Sequence, residues 1–105
     1  MTVLDNSVVY QATNYIDPAG SVVGSACLLA DAIVPDLAHG ATVDVDLTGL
    51  RSVSSSYFNT LLARVADRCG VGAIQDRLSL RFSSQAQRTI FDRSYQAVLS
   101  RFGGQ

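Results

Sequence analysis

The sequence predicts an α/β fold, a two-layer sandwich: one mixed, mainly parallel sheet with its helices on one face. Three observations carry that reading. Segments in which apolar and polar residues alternate take turns with segments whose apolar residues recur every three or four positions, in the order β-β-α-β-α-β-α. The strand-like segments alternate rather than run as unbroken apolar stretches, so one sheet face should be apolar and the other polar. The 105 residues are 48% hydrophobic and 16% charged, a balance that supports one folded core and excludes a disordered chain.

The elements follow in order. Residues 2–4 and 8–12 read as strands separated by Asp5, Asn6 and Ser7, types that favour tight turns, so an N-terminal hairpin is expected. Residues 13–16 prolong the second of these strands until Asp17, Pro18, Ala19 and Gly20 break it. From Ser21 the period changes. Val22, Ala26, Leu29, Ile33 and Leu37 recur at helical spacing, with Ser21 placed to cap the start and Gly40 to end the helix. Pro35 should break or kink this helix just before it, because it lacks a backbone donor. Residues 42–48 form the clearest strand. Val43, Val45 and Leu47 point one way and Thr42, Asp44, Asp46 and Thr48 the other, and Gly49 ends the run.

A second helical stripe of Phe58, Leu61, Leu62, Val65 and Cys69 closes at Gly70. Residues 72–77 read as loop, and residues 78–82 alternate again as a strand. The last helix, residues 85–102, carries Ile90, Phe91, Tyr95, Val98, Leu99 and Phe102 on one face before Gly103 and Gly104 release the chain. With no internal repeat or linker, residues 1–105 read as a single domain.

Charge and composition narrow the function. Eight basic against nine acidic residues leave a net charge of −1, without the field that draws a domain to nucleic acid or anionic lipid. All eight basic residues are arginines, which suit local anion contacts, although compositional bias accounts for them more simply. Cys27 and Cys69 show no ligand-pair spacing and fall among apolar helix residues, as buried free thiols in a reducing cytoplasm would. The first ten residues lack the pattern of a signal peptide, and the most apolar stretch, residues 26–34, is too short to cross a bilayer. The expected location is cytoplasmic, with no nucleic-acid or membrane partner and no cofactor.

Candidate chemistry concentrates at one place. In parallel α/β sheets ligands collect beyond the carboxyl ends of strands, where loops feed helix N-termini. The best-marked such place runs from Asp46 through Thr48, Gly49, Arg51 and Ser52 to Ser54, Ser55, Ser56, Tyr57 and Asn59. Elsewhere the signals are weaker. Asp44 and Asp46 share a strand face but lack a third ligand nearby, so a solvated face is expected and no metal. His39, the one histidine, sits beside Gly40 as a helix C-terminal cap, at the end of the domain away from the serines. Arg88, Arg93 and Arg101 fit a solvent-facing helix side. The four tyrosines are too scattered for a base-stacking platform. No acid–base or nucleophile constellation is present, so no enzyme is expected.

The segment 46–62 resembles the signature of STAS domains, the family of sulphate-transporter tails and anti-sigma-factor antagonists. Their pattern is Asp-Leu-Ser-Gly, a short apolar link, then Asp-Ser-Ser-Gly opening an amphipathic helix. Asp46-Leu47-Thr48-Gly49 matches the first part and Val53 the link, while Ser54-Ser55-Ser56-Tyr57 stands where Asp-Ser-Ser-Gly would be. Ser54 in place of the acid and Tyr57 in place of the glycine bring it closer to a divergent STAS-like bacterial family of unknown function. The resemblance covers roughly residues 41–99. It implies a STAS-like sandwich and a regulatory protein-interaction module of non-catalytic type, bound by a protein partner, for example a histidine-kinase-like ATPase. It also implies that Ser55 or Ser56 is a phosphoacceptor whose modification switches binding off. A helix N-terminus tolerates a phosphate, and a charge of about −1.5 to −2 disrupts a docked apolar or acidic surface. Two other readings of the serines stay open, plain helix capping and small-ligand binding. The alternative for the whole chain is a structural or homo-oligomer-forming subunit that assembles through its sheet face or edge.

Overall fold

The computed structural model describes residues 7–51 and 53–102. Three strands, β1 (Ser7–Gln11), β2 (Thr42–Asp46) and β3 (Leu78–Arg81), form one sheet in the order β1-β2-β3. Both pairings are parallel, with Val8 opposite Val43 and Val45 opposite Leu80. Four helices accompany them: α1 (Val22–Ala38), α2 (Ser55–Cys69), α3 (Val71–Arg77) and α4 (Gln85–Phe102). The α/β class expected from the sequence is therefore the observed one. The described sheet is wholly parallel rather than mixed. The strand that would make it mixed, residues 2–4 of the expected hairpin, lies outside the described residues, as do Gly103 and Gly104.

Burial along the strands follows the expected alternation. Val43, Val45 and the following Leu47 are fully buried, whereas Ser7, Val9, Gln11 and Thr42 on the other side are exposed. The two crossovers step in the same direction along the sheet, and the packing of α1 on α2 puts their helices on the same side. Within the helix layer α2 is central, packed against α1 on one flank and α4 on the other. The core joins Leu29, Ile33 and Leu37 of α1 to Phe58, Leu61, Leu62 and Val65 of α2 over the β2 valines. Burying each of these large side chains is worth about 1.5–3 kcal/mol. Between α2 and α4 the aromatic rings join in: Phe58 meets Phe91 edge-on at 5.4 Å, and Phe91 stacks on Tyr95.

Local chemistry explains where the helices begin and end. The Ser21 hydroxyl accepts from the Gly24 amide and caps α1. At the other end the Gly40 amide donates to Leu37 and the Ala41 amide to Asp36, a Schellman closure that needs the positive φ of Gly40. The His39 ring nitrogen lies 2.7 Å from the Pro35 carbonyl, in the capping position expected for it. α4 opens with Ser84 accepting from the Gln87 amide, while the Gln87 side chain reaches back to the Ser83 amide.

Three local expectations are corrected. Residues 13–16 do not extend β1; residues Ala12–Asn14 turn as a short 3₁₀ segment, because Ala12 is buried and the Tyr15 amide folds back onto its carbonyl. Pro35 does not break α1, which runs through it to Ala38. It stands in the final turn, where it forfeits only a bond to the Asp31 carbonyl and its own carbonyl still receives the His39 amide. Residues 72–77 are not loop but most of α3, held by the buried Ala73 and Ile74. The Arg77 guanidinium then donates to the Leu37 carbonyl and ties α3 to the end of α1. No helix among the described residues is long and apolar enough to cross a membrane.

Candidate functional site

The carboxyl end of β2 leads into a tightly built turn. The Asp46 carboxylate accepts from the Thr48 amide at 2.9 Å, and the Leu50 amide donates to the Leu47 carbonyl at 3.0 Å. Gly49, the third residue of that second turn, has φ +87°, the left-handed value that such a turn demands and glycine supplies without strain. A methyl group at Gly49 would also meet Thr13 Cγ2 at 3.3 Å. The Asp-Leu-Thr-Gly run is thus a structural device: an acid that fixes the turn, a leucine buried as an anchor, and a glycine that closes it. Hydrogen bonds from Thr48 hold the Asp46 carboxyl below its ordinary pKa, with Arg81 adding a weaker charge effect.

Beyond the turn the candidate residues divide. Arg51, Ser55, Ser56 and Asn59 are exposed, as are Thr48 and Gly49; Val53 and Ser54 are half-buried; Ser52 lies outside the described residues. Ser54 occupies the N-cap position of α2 with extended backbone, yet its side chain makes no capping hydrogen bond. Ser21 at α1 and Ser84 at α4 do make that bond, so capping is realised at two serine-headed helices and not by Ser54 at α2. The Ser55 carbonyl accepts a 3.5 Å contact from the buried Ser94 hydroxyl, which ties the head of α2 to α4. His39 closes the far end of α1, apart from the serines, as the sequence placed it.

Tyr57 behaves unlike the residues it was grouped with. It is 1% exposed and belongs to the core. Its hydroxyl is buried with no hydrogen-bond partner among the described residues, and burial raises its pKa to about 12. An unpaired buried hydroxyl costs about 1–3 kcal/mol. The sequence carried a signal for this burial, since Tyr57 precedes Leu61 by four positions and Val65 by eight, which places it on the apolar stripe.

Tyr57 also forms part of the wall of a cavity that no residue pattern announced. The cavity, of about 350 Å³, opens between the loop after β1, the first turn of α1 and the turn after β2. Thr13, Ile16 and Gly20 line one side, Ser21, Val22 and Ser25 another, and Gly49, Leu50 and Arg51 the third. It lies beyond the carboxyl ends of β1 and β2, the region where parallel α/β sheets receive ligands. The two serines are already engaged. Ser21 caps α1, and Ser25 donates to the Ser21 carbonyl while accepting from the Asp17 amide.

On the open sheet face Asp44 and Asp46 are not left facing each other alone. Arg81 of β3 pairs with Asp44 at 2.9 Å, which gives that face an ion pair rather than a bare acidic strip. Compared with known proteins, the chain matches no family model, no curated protein and no solved structure.

Proposed function

We propose that this chain is a non-catalytic regulatory interaction module, and that a protein partner docks on the loop after β2 and the exposed head of α2. The observation that carries this reading is the exposed set Arg51, Ser55, Ser56 and Asn59, displayed on a turn fixed by Asp46 and Gly49 and a helix rooted in the core. A surface of this kind is presented in one geometry, which lowers the ordering cost of binding. The likeness of residues 46–62 to the STAS signature supports the same surface, and supports a histidine-kinase-like ATPase as the partner class.

In this reading Ser55 or Ser56 receives a phosphoryl group and the added charge releases the partner. Both serines are exposed in the first turn of a 15-residue helix, where the helix dipole accommodates an anion within the domain. The absence of a capping bond from Ser54 leaves the end of the helix open to such a group. The test is incubation with ATP and a histidine-kinase-like ATPase encoded beside this chain's gene, followed by mass mapping of the product. Modification at Ser55 or Ser56, with weaker binding by the product, supports the switch. A stable complex with residues 54–56 unmodified sinks it.

Assembly through the sheet is the second reading, and Val9 favours it, being 57% exposed on the open face of β1. Around it Ser7, Gln11, Thr42, Asp44, Asp46, Ser79 and Arg81 keep that face polar, which favours the α2 head instead.

A further inference from the structure

We propose that the first turn of α2, Ser54 to Tyr57, opens and closes as a unit while the rest of the helix stays folded, and that this equilibrium governs access to Ser55 and Ser56. The regulatory part rests on the reading of the α2 head as the docking surface; the opening itself is a property of the free protein.

The three long helices begin differently. At α1 the Ser21 hydroxyl accepts the Gly24 amide and the Asp17 carboxylate accepts the Ser21 amide, so two side chains latch the turn. At α4 the Ser84 hydroxyl accepts the Gln87 amide and the Gln87 side chain accepts the Ser83 amide, again two latches. Among the described residues α2 has neither kind: Ser54 makes no capping bond, and the first turn holds no acidic residue. The amides of Tyr57 and Phe58 share one acceptor, the Ser54 carbonyl. The tie from α4, Ser94 Oγ to the Ser55 carbonyl, is 3.5 Å long, beyond the range of a good hydrogen bond.

What holds the turn is then Tyr57, and its hold is divided. Burying the ring favours the closed turn, but the hydroxyl is enclosed with it and has no partner among the described residues. Stranding a hydroxyl costs about as much as burying a side chain of this size gains, so Tyr57 contributes little on balance. Opening the turn returns that hydroxyl to water. Phe58, by contrast, is fully buried, has no polar atom to strand, and meets Phe82 and Phe91 edge-on. The opening therefore stops at Phe58. Segments so weakly held open locally, at less cost than unfolding the whole domain.

The closed turn is the form that a docked partner reads. The open turn places Ser55 and Ser56 on extended backbone, where a modifying enzyme reaches them. Docking draws the equilibrium toward the closed form and so shields both serines.

The experiment is native-state amide hydrogen exchange of the full chain, followed by NMR at rising urea concentrations below the unfolding transition. The Tyr57 and Phe58 amides should be about tenfold less protected than those of Leu62 and Val65, and their opening should depend far more weakly on urea. Ser54→Asp, which supplies a cap, should raise protection of these two amides about fivefold. Tyr57→Phe should do likewise, and it keeps the ring that packs in the core. That variant is decisive, because it protects the two amides only where the opening releases the hydroxyl. Three results overturn the proposal: Tyr57 and Phe58 amides with the same urea dependence as Leu62 and Val65, a Tyr57→Phe gain confined to the core amides, or no change at the two amides in Ser54→Asp. Each would leave the docking reading standing, since a partner plays no part in the measurement.

Discussion

Asp46 shows how one side chain can fix a site without touching a ligand. Its carboxylate is bonded in the charged form, so its pKa is lowered; the stability it adds is present above the unfolded carboxylate pKa and lost as pH falls through the lower, folded value. A carbon-detected NMR titration should therefore show Asp46 protonating below an ordinary aspartate, and the Thr48 amide shift should follow the same curve. Gly49→Ala is expected to destabilise the fold by about 1–2 kcal/mol in chemical denaturation, because alanine resists the left-handed backbone found there. Tyr57→Phe should act in the opposite direction, stabilising the free protein by about 1 kcal/mol as it deletes an unpaired buried hydroxyl. At this scale the sequence showed which residues gather after β2, but not their division. Spacing on a helix distinguishes Tyr57 from Ser56 and Asn59 only when the serine motif does not dominate the reading. Whether Ser54 spends its hydroxyl on a cap depends on a rotamer, which no residue pattern encodes.

The helices differ in how plainly the sequence wrote them. α1, α2 and α4 carry long apolar stripes and were legible, whereas α3 was hidden by its glycines. Gly70, at φ +86°, ends α2 and leads directly into α3, so what looked like loop punctuation is a hinge between two helices. Val71 and Ile74 held the helical signal, too short to outweigh Gly70 and Gly72. Pro35 misled for a related reason: its cost depends on distance from the helix end, and a last-turn proline loses one bond without ending the helix. Since α2 packs on both neighbours, its two faces should respond differently to truncation. Leu61→Ala, at a fully buried position, should cost about 2–5 kcal/mol, while Asn59→Ala should stay within about 0.5 kcal/mol. Equal losses from the two would place the helix axis differently from what is described.

At the scale of the whole molecule, the strand alternation foretold the polarity of the sheet, and the parallel order of β1, β2 and β3 accounts for a helix layer centred on α2. The cavity beside the β2 turn was illegible because it is built from three segments far apart in sequence, none with a motif of its own. The open face, polar and crossed by the Arg81–Asp44 pair, is expected to stay in solvent, so light scattering over a concentration series should report a monomer throughout. That leaves the head of α2 as the proposed docking surface. Site-specific photo-crosslinking in the producing cell tests this most directly, with the reactive group placed at Asn59 on α2 in one variant and at Ser79 on the open sheet face in another. The account predicts a discrete partner adduct from Asn59, lost when Ser55 and Ser56 are both changed to Glu, and none from Ser79. An adduct from Ser79 with none from Asn59 would contradict it and move the binding surface to the sheet.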